Sequence, residues 1–254
     1  MNRMLDVTTS VIASTMRSWR GSTSSKKTKL PAQPLQLFDR EAHPACRLVR
    51  EAITELNLDA MIYPVPENGS RHQDRLRDLS GDTAIPFLFD PNSGQKLTGV
   101  DAIVTYLFGQ YRGTDAPAEL LGSKRNLSAS SLAGKVRLGA GKCARSSKAP
   151  ENYLTLYSFE SSPYSRLARE TLCELEIPYL LVNLGKQQRQ DMGPAKMRLT
   201  LKPYKPLPGT KREDFFRKHG DVMVPFLEDP NTGTEMFESA NIVKYLNAQY
   251  ALKP

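Results

Sequence analysis

A chain of 254 residues has length for two small domains, each able to bury its own core. No run approaches the roughly 20 apolar residues of a membrane span, and Cys46, Cys143 and Cys173 are an odd set without metal-ligand spacing. A disulfide framework is excluded, and a reduced, cytoplasmic protein is expected.

The net charge of +8 resembles a nucleic-acid signal only until it is located. Residues 1–30 and 112–150 together hold 14 Lys/Arg against three Asp/Glu, leaving 21 against 24 elsewhere. The folded units are therefore mildly acidic, with no basic–aromatic stripe, and specific nucleic-acid binding is not expected. The cations belong to a tail and a linker that could touch a surface or a protein.

Residues 1–34 form a basic leader. Leu5, Ile12, Met16 and Trp19 fall on one face of a candidate helix, with Ser10, Ser14 and Arg17 on another. Packing or surface binding of the apolar stripe is favoured over its alternative, an organellar transit peptide. Arg20 to Lys29 reads as disordered.

Residues 35–112 form a first unit: a strand at Leu35–Phe38, then a helix opened by Pro44 and buried through Leu48, Val49, Ala52, Ile53 and Leu56. A second strand at Ala60–Tyr63 and a polar helix at Arg71–Leu79 follow. Residues 113–150, rich in Gly, Ser, Ala and cations, read as a flexible linker with one short helix. Residues 151–254 repeat the plan, with Leu154–Tyr157 as strand and Pro163 opening a helix. An insertion over 186–210 includes Tyr204-Lys205-Pro206-Leu207-Pro208-Gly209.

One stretch carried twice organises both units. Ile85-Pro86-Phe87-Leu88-Phe89-Asp90-Pro91-Asn92-Ser93-Gly94 returns as Val224-Pro225-Phe226-Leu227-Glu228-Asp229-Pro230-Asn231-Thr232-Gly233. From Phe87/Phe226 to Tyr111/Tyr250 nearly half the positions are identical, the mark of a duplicated unit. Asp-Pro-Asn-x-Gly is turn chemistry between two short strands, and a helix with Ile242, Val243, Leu246 and Tyr250 follows. A proline at a strand's first position predicts a cis bond at Ile85-Pro86 and Val224-Pro225. That bond turns the preceding residue's N–H and C=O outward, towards an extended ligand.

The resulting α/β architecture, two tandem βαβαββα units, resembles the thioredoxin fold. Within it the chain is similar to the glutathione S-transferase N-terminal domain and the glutaredoxins, in their tandem form. No counterpart of the transferases' helical C-terminal domain is expected. The resemblance implies a Cys-Pro-aromatic-Cys motif at the first helix, where the helix N-terminus generates thiolate. The chain instead has His43-Pro44-Ala45-Cys46 and Ser162-Pro163-Tyr164-Ser165. Neither unit has two sulfurs within one turn, so dithiol exchange is not expected.

What the resemblance implies for the second unit is a serine-type glutathione site. Ser162 would be the catalytic group that holds the sulfur, Val224 beside Pro225 would pair with the cysteinyl backbone, and Glu238-Ser239 would hold the γ-glutamyl end. Alternatively, Ser162 and Ser239 are merely helix N-caps. Lys211, Arg212, Arg217 and Lys218 all remain open for the glycyl carboxylate. A small electrophile would have to bind between the units or against the insertion.

In the first unit, Gly99-Val100 stands where Glu238-Ser239 would be, so His43, Cys46, Ile85 and Pro86 read as degenerate counterparts. Cys46 is expected to be core, His43 a solvated cap, and no metal site is predicted. Whether the protein turns over is left open. The alternative function is a non-catalytic tandem interaction module.

Overall fold

The computed structural model describes residues 3–25, 27–193 and 203–252. The first unit comprises β1 (Leu35–Asp39), α2 (Pro44–Glu55), β2 (Ala60–Pro64), α3 (Gln73–Ser80), β3 (Phe87–Asp90), β4 (Gln95–Thr98) and α4 (Val100–Arg112). The second repeats it as β5 (Leu154–Ser158), α6 (Pro163–Glu174), β6 (Tyr179–Asn183), α7 (Lys211–His219), β7 (Phe226–Asp229), β8 (Thr234–Phe237) and α8 (Ser239–Tyr250). Both Ile85-Pro86 and Val224-Pro225 are cis.

The repeated turn is fixed by its own polar groups. The Asp90 carboxylate accepts from the Asn92 N–H and side-chain amide, at 2.8 Å each, and from the hydroxyls of Tyr106 and Tyr111. Asp229 is held identically by Asn231, Tyr245 and Tyr250. These buried acceptors account for the identical residues at the turn and in the closing helix.

The two units share one sheet of eight strands, ordered β4-β3-β1-β2-β6-β5-β7-β8. The join is antiparallel β2–β6, with Ala60 opposite Leu181 and Ile62 opposite Tyr179. Pairing edge to edge removes from solvent two strands that would otherwise be open to other chains. Strand alternation then sends Leu35 and Leu37, with Leu154 and Leu156, into one continuous core beneath α2, α4, α6 and α8. Phe38 and Phe226 face the other way, into separate smaller cores that include Leu76 of α3 and Phe215 of α7.

The leader and linker form an outer layer over α2 and α6. Helix α1 (Arg3–Met16) lies on α6, and α5 (Lys124–Lys135) lies on α2 and against α1. The apolar stripe of α1 does not pack inward, which corrects the packing expectation. Ser10, Ala13, Ser14 and Arg17 are buried, while Leu5, Ile12, Met16 and Trp19 face solvent. The reason is hydrogen bonding at close approach: Ser10 Oγ donates to the Pro163 carbonyl and Ser14 Oγ to the Ser161 carbonyl, each at 2.8 Å.

The stretch read as disordered is also anchored. Ser24 N–H donates to the Lys186 carbonyl, and Lys186 N–H donates to that of Ser22, both at 2.8 Å. The linker is placed in the same way, with Ser130 Oγ donating to the Pro44 carbonyl at 2.9 Å and Ala144 N–H to that of Glu67 at 2.8 Å. Each of these segments thus grips the unit it does not immediately precede.

A buried charge cluster lies where the units meet. Arg169 of α6 reaches Glu41 of the first unit through Nε and Nη2, at 3.1 and 3.0 Å. Arg50 of α2 reaches Glu160 of the second through Nε at 2.9 Å. Arg50 also touches Asp39, and Arg169 lies 3.0 Å from Glu160. Gly21 and Gly141 carry the two segments past this cluster at positive φ. A Cβ at Gly21 would stand 2.8 Å from Glu160 Cβ, and one at Gly141 2.9 Å from Glu41 Cβ, so a side chain is excluded by both space and backbone.

Candidate functional site

Ser162 caps α6. Its φ and ψ are −63° and 114°, and its hydroxyl accepts from the Ser165 N–H at 3.3 Å. That use occupies a lone pair and leaves the O–H proton available to donate. The loop before Ser162 is gripped by the leader: beyond the bond from Ser14, Ser161 N–H donates to the Gly21 carbonyl at 3.1 Å and Ser22 Oγ meets Ser161 Oγ.

Ser162, Val224, Pro225, Glu238 and Ser239 line one cavity of about 1060 Å³. Val11 and Trp19 of the leader, Met192 of the insertion, and Met223 line it too. The lining therefore includes the leader, in addition to the insertion anticipated from sequence. Residues 194–202 of that insertion lie outside the described residues. Ser18 and Trp19 hold φ of 51° and 56°, which is costly for residues with a Cβ. The backbone turn thereby sets the chain's sole tryptophan at the cavity.

The turn before α8 differs from its expected form. Glu238, not Ser239, is the N-cap, at φ 72° and ψ 115°, and Ser239 begins the helix. The corresponding residue of the first unit is Gly99, at φ 87°. Glu238 holds a conformation that glycine adopts freely and other residues do not. Ser239 is 1% exposed, and its Oγ is buried with no hydrogen-bond partner among the described residues. Buried hydroxyls are normally paired, since leaving one unpaired costs about 1–3 kcal/mol.

Of the four cations considered for a carboxylate, Arg212 alone lines this cavity; it donates to the Leu184 carbonyl at 2.6 Å and lies 3.4 Å from Asp191. Lys211 is bound to Asp59, Lys218 to Glu228, and Arg217 to Glu213 and Asp214. Lys186, which the sequence did not single out, also lines the cavity, with Nζ 5.5 Å from the Phe159 ring centre.

The first unit lacks this arrangement. Val100 is buried where Ser239 stands in the second. Cys46 is fully buried, and burial, then the nearby Asp39, pushes its thiol far above the ordinary range. His43 stands at the N-cap without a side-chain cap bond; its Nδ1 is 3.5 Å from Cys46 Sγ. Burial, then Arg40 and Arg50, lowers its pKa, so it stays neutral at pH 7. Ile85 and Pro86 keep the backbone geometry without the side chains around it. No cluster of His, Cys, Asp or Glu among the described residues fits a metal ion.

Comparison with protein families matches residues 37–115 and 156–254 to the glutathione S-transferase N-terminal domain, more than half of the chain. Comparisons with curated proteins and with solved structures found no match. The paired cis prolines, the duplicated βαβαββα plan and this match lead to one conclusion: the chain belongs to the glutathione S-transferase N-terminal domain family, carrying two tandem thioredoxin-like units.

Proposed function

We propose that the second unit binds glutathione and presents its sulfur to an electrophile in the cavity beside Trp19. The observation that carries this reading is Ser239, which lines the same cavity as Ser162 and Val224 and whose hydroxyl is buried without a partner among the described residues. A carboxylate is the natural partner for such a donor at a helix start, where N–H groups and the macrodipole favour an anion.

In this reading the γ-glutamyl carboxylate accepts from Ser239, and the cysteinyl backbone pairs with Val224 ahead of the cis Pro225. Ser162 donates its O–H to the sulfur while accepting from the Ser165 N–H, so the helix cap and the thiolate site are one group. The thiolate then forms a carbon–sulfur bond with the electrophile, and the leaving group departs with the electron pair. Arg212 and Lys186, which line the cavity, are the candidates for the glycyl carboxylate. The apolar side chains of Val11, Trp19, Met192 and Met223 supply the acceptor wall.

Isothermal calorimetry with millimolar glutathione tests this reading. Wild type should release heat, and Ser239→Ala should weaken binding by about 1.5–3 kcal/mol, as for a hydrogen bond to a charged group. An affinity unaltered by Ser239→Ala, or no heat in wild type, would remove the reading and leave the tandem interaction module in its place.

A further inference from the structure

The site uses one edge of the leader, and the rest of its exposed surface is unexplained by it. We propose that the outer layer formed by α1 and α5 docks on a lipid surface bearing anionic headgroups. Helix α1 is inverted relative to an ordinary surface helix: its small and polar residues are buried and its apolar ones are outside. Met4 is 78% exposed, and Leu5, Ile12 and Met16 are each more than 40% exposed. Thr8 and Thr15 complete that face, which contains no charged residue among the described ones, over a helix about 21 Å long. Alongside it, the α5 segment exposes Leu132 and, just past the helix, Leu138, which is 75% exposed.

The fold does not need this apolar surface in the open, and a contiguous exposed patch of this kind marks an interaction site. The charge of the same two segments selects the partner. Exposed Lys27, Lys29, Lys124, Arg125 and Lys135 belong to the same two segments. Of the three acids there, Asp6 faces Arg137 and Glu119 faces Arg20. A second copy of the chain would bring like charges together across the patch. Nucleic acid would meet the cations but leave the apolar row without a use. An anionic bilayer surface accepts both, with the row at the acyl boundary and the cations among the headgroups. The serine contacts to the Ser161 and Pro163 carbonyls hold α1 in place, so the surface is present before contact.

The test uses the full chain with vesicles of phosphatidylcholine alone, or of phosphatidylcholine and phosphatidylglycerol in equal parts, separated by flotation. The chain should float with the mixed vesicles, remain behind with phosphatidylcholine, and dissociate as salt is raised. Ile12→Glu with Met16→Glu, and separately Lys124→Glu with Arg125→Glu, should each lower partition about tenfold or more. All four positions are exposed, so circular dichroism should show both variants folded. The proposal is overturned by absence of binding at low salt, by equal binding to both vesicle types, or by unaltered partition of both variants. It is also overturned if sedimentation shows wild type self-associating and the Ile12→Glu/Met16→Glu variant monomeric.

Discussion

Replacing Glu160 by Gln should destabilise the whole protein, because this carboxylate joins guanidinium groups from both units. It accepts a charged hydrogen bond from Arg50 Nε at 2.9 Å and lies 3.0 Å from Arg169 Nη2. Losing interactions of this type costs about 1.5–3 kcal/mol each. Breaking a buried ion pair by removing one partner costs about 3–5 kcal/mol. Both routes lead to roughly 3–5 kcal/mol, a large part of the 5–15 kcal/mol that stabilises an ordinary domain. Urea denaturation followed by circular dichroism is the assay. One cooperative transition is expected, shifted to lower urea for Glu160→Gln, since β2 and β6 make one sheet. Removing Arg50 as well, as Arg50→Met, should cost less than the two single changes added together. A loss below about 1 kcal/mol, or two transitions of which only one moves, would refute the reasoning.

Two further outcomes follow from the same chemistry. Burial, opposed by Arg50 and reinforced by Glu41 and Glu160, raises Asp39 to about 6. Arg50 does not offset burial because its charge is shared with the other two carboxylates. The folded state therefore holds this proton more tightly than the unfolded chain, and its contribution falls as pH rises from about 4 to 6, by about 3 kcal/mol. Asp39→Asn should abolish that slope in denaturation measured across the range; an unaltered slope would contradict the assignment. Iodoacetamide at neutral pH should label exposed Cys143 and spare buried Cys46 and Cys173 in the native protein, as read by peptide mass spectrometry; native labelling of Cys46 comparable to that of Cys143 would contradict the burial argument.

The strands, the first helices and the cis prolines were legible because local rules determine them. Leu35–Phe38 and Leu154–Tyr157 read as strands, Pro44 and Pro163 opened helices, and Asp-Pro-Asn marked the hairpins. The joining of the two units was not legible. It depends on β2 meeting β6, and an edge strand carries no sequence label for its partner. A signal did exist: Glu41, Arg47 and Arg50 recur as Glu160, Arg166 and Arg169, with both arginines of each copy inside helices otherwise read as buried. Charges kept in pairs on buried faces point to a shared interface. For α1, periodicity identified the helix and its two faces but could not choose between packing and surface binding for the apolar one. Hydrophobic pattern cannot weigh serine hydroxyls against backbone carbonyls that lie distant in sequence. Ser162, Val224 and Ser239 were legible as a candidate set, whereas Trp19 and Lys186 come to the cavity through tertiary contacts.

Hydrogen–deuterium exchange of the full chain, with and without saturating glutathione, tests the central claim most directly. Glutathione should slow exchange around Val224 and over Glu238 to Ala240, where backbone and helix-start N–H groups meet the ligand. It should leave Ile85 and Gly99 to Asp101 unaltered, since Val100 offers no hydroxyl. Protection at the first unit's cis proline, or none at Val224 and Ser239, would contradict the account.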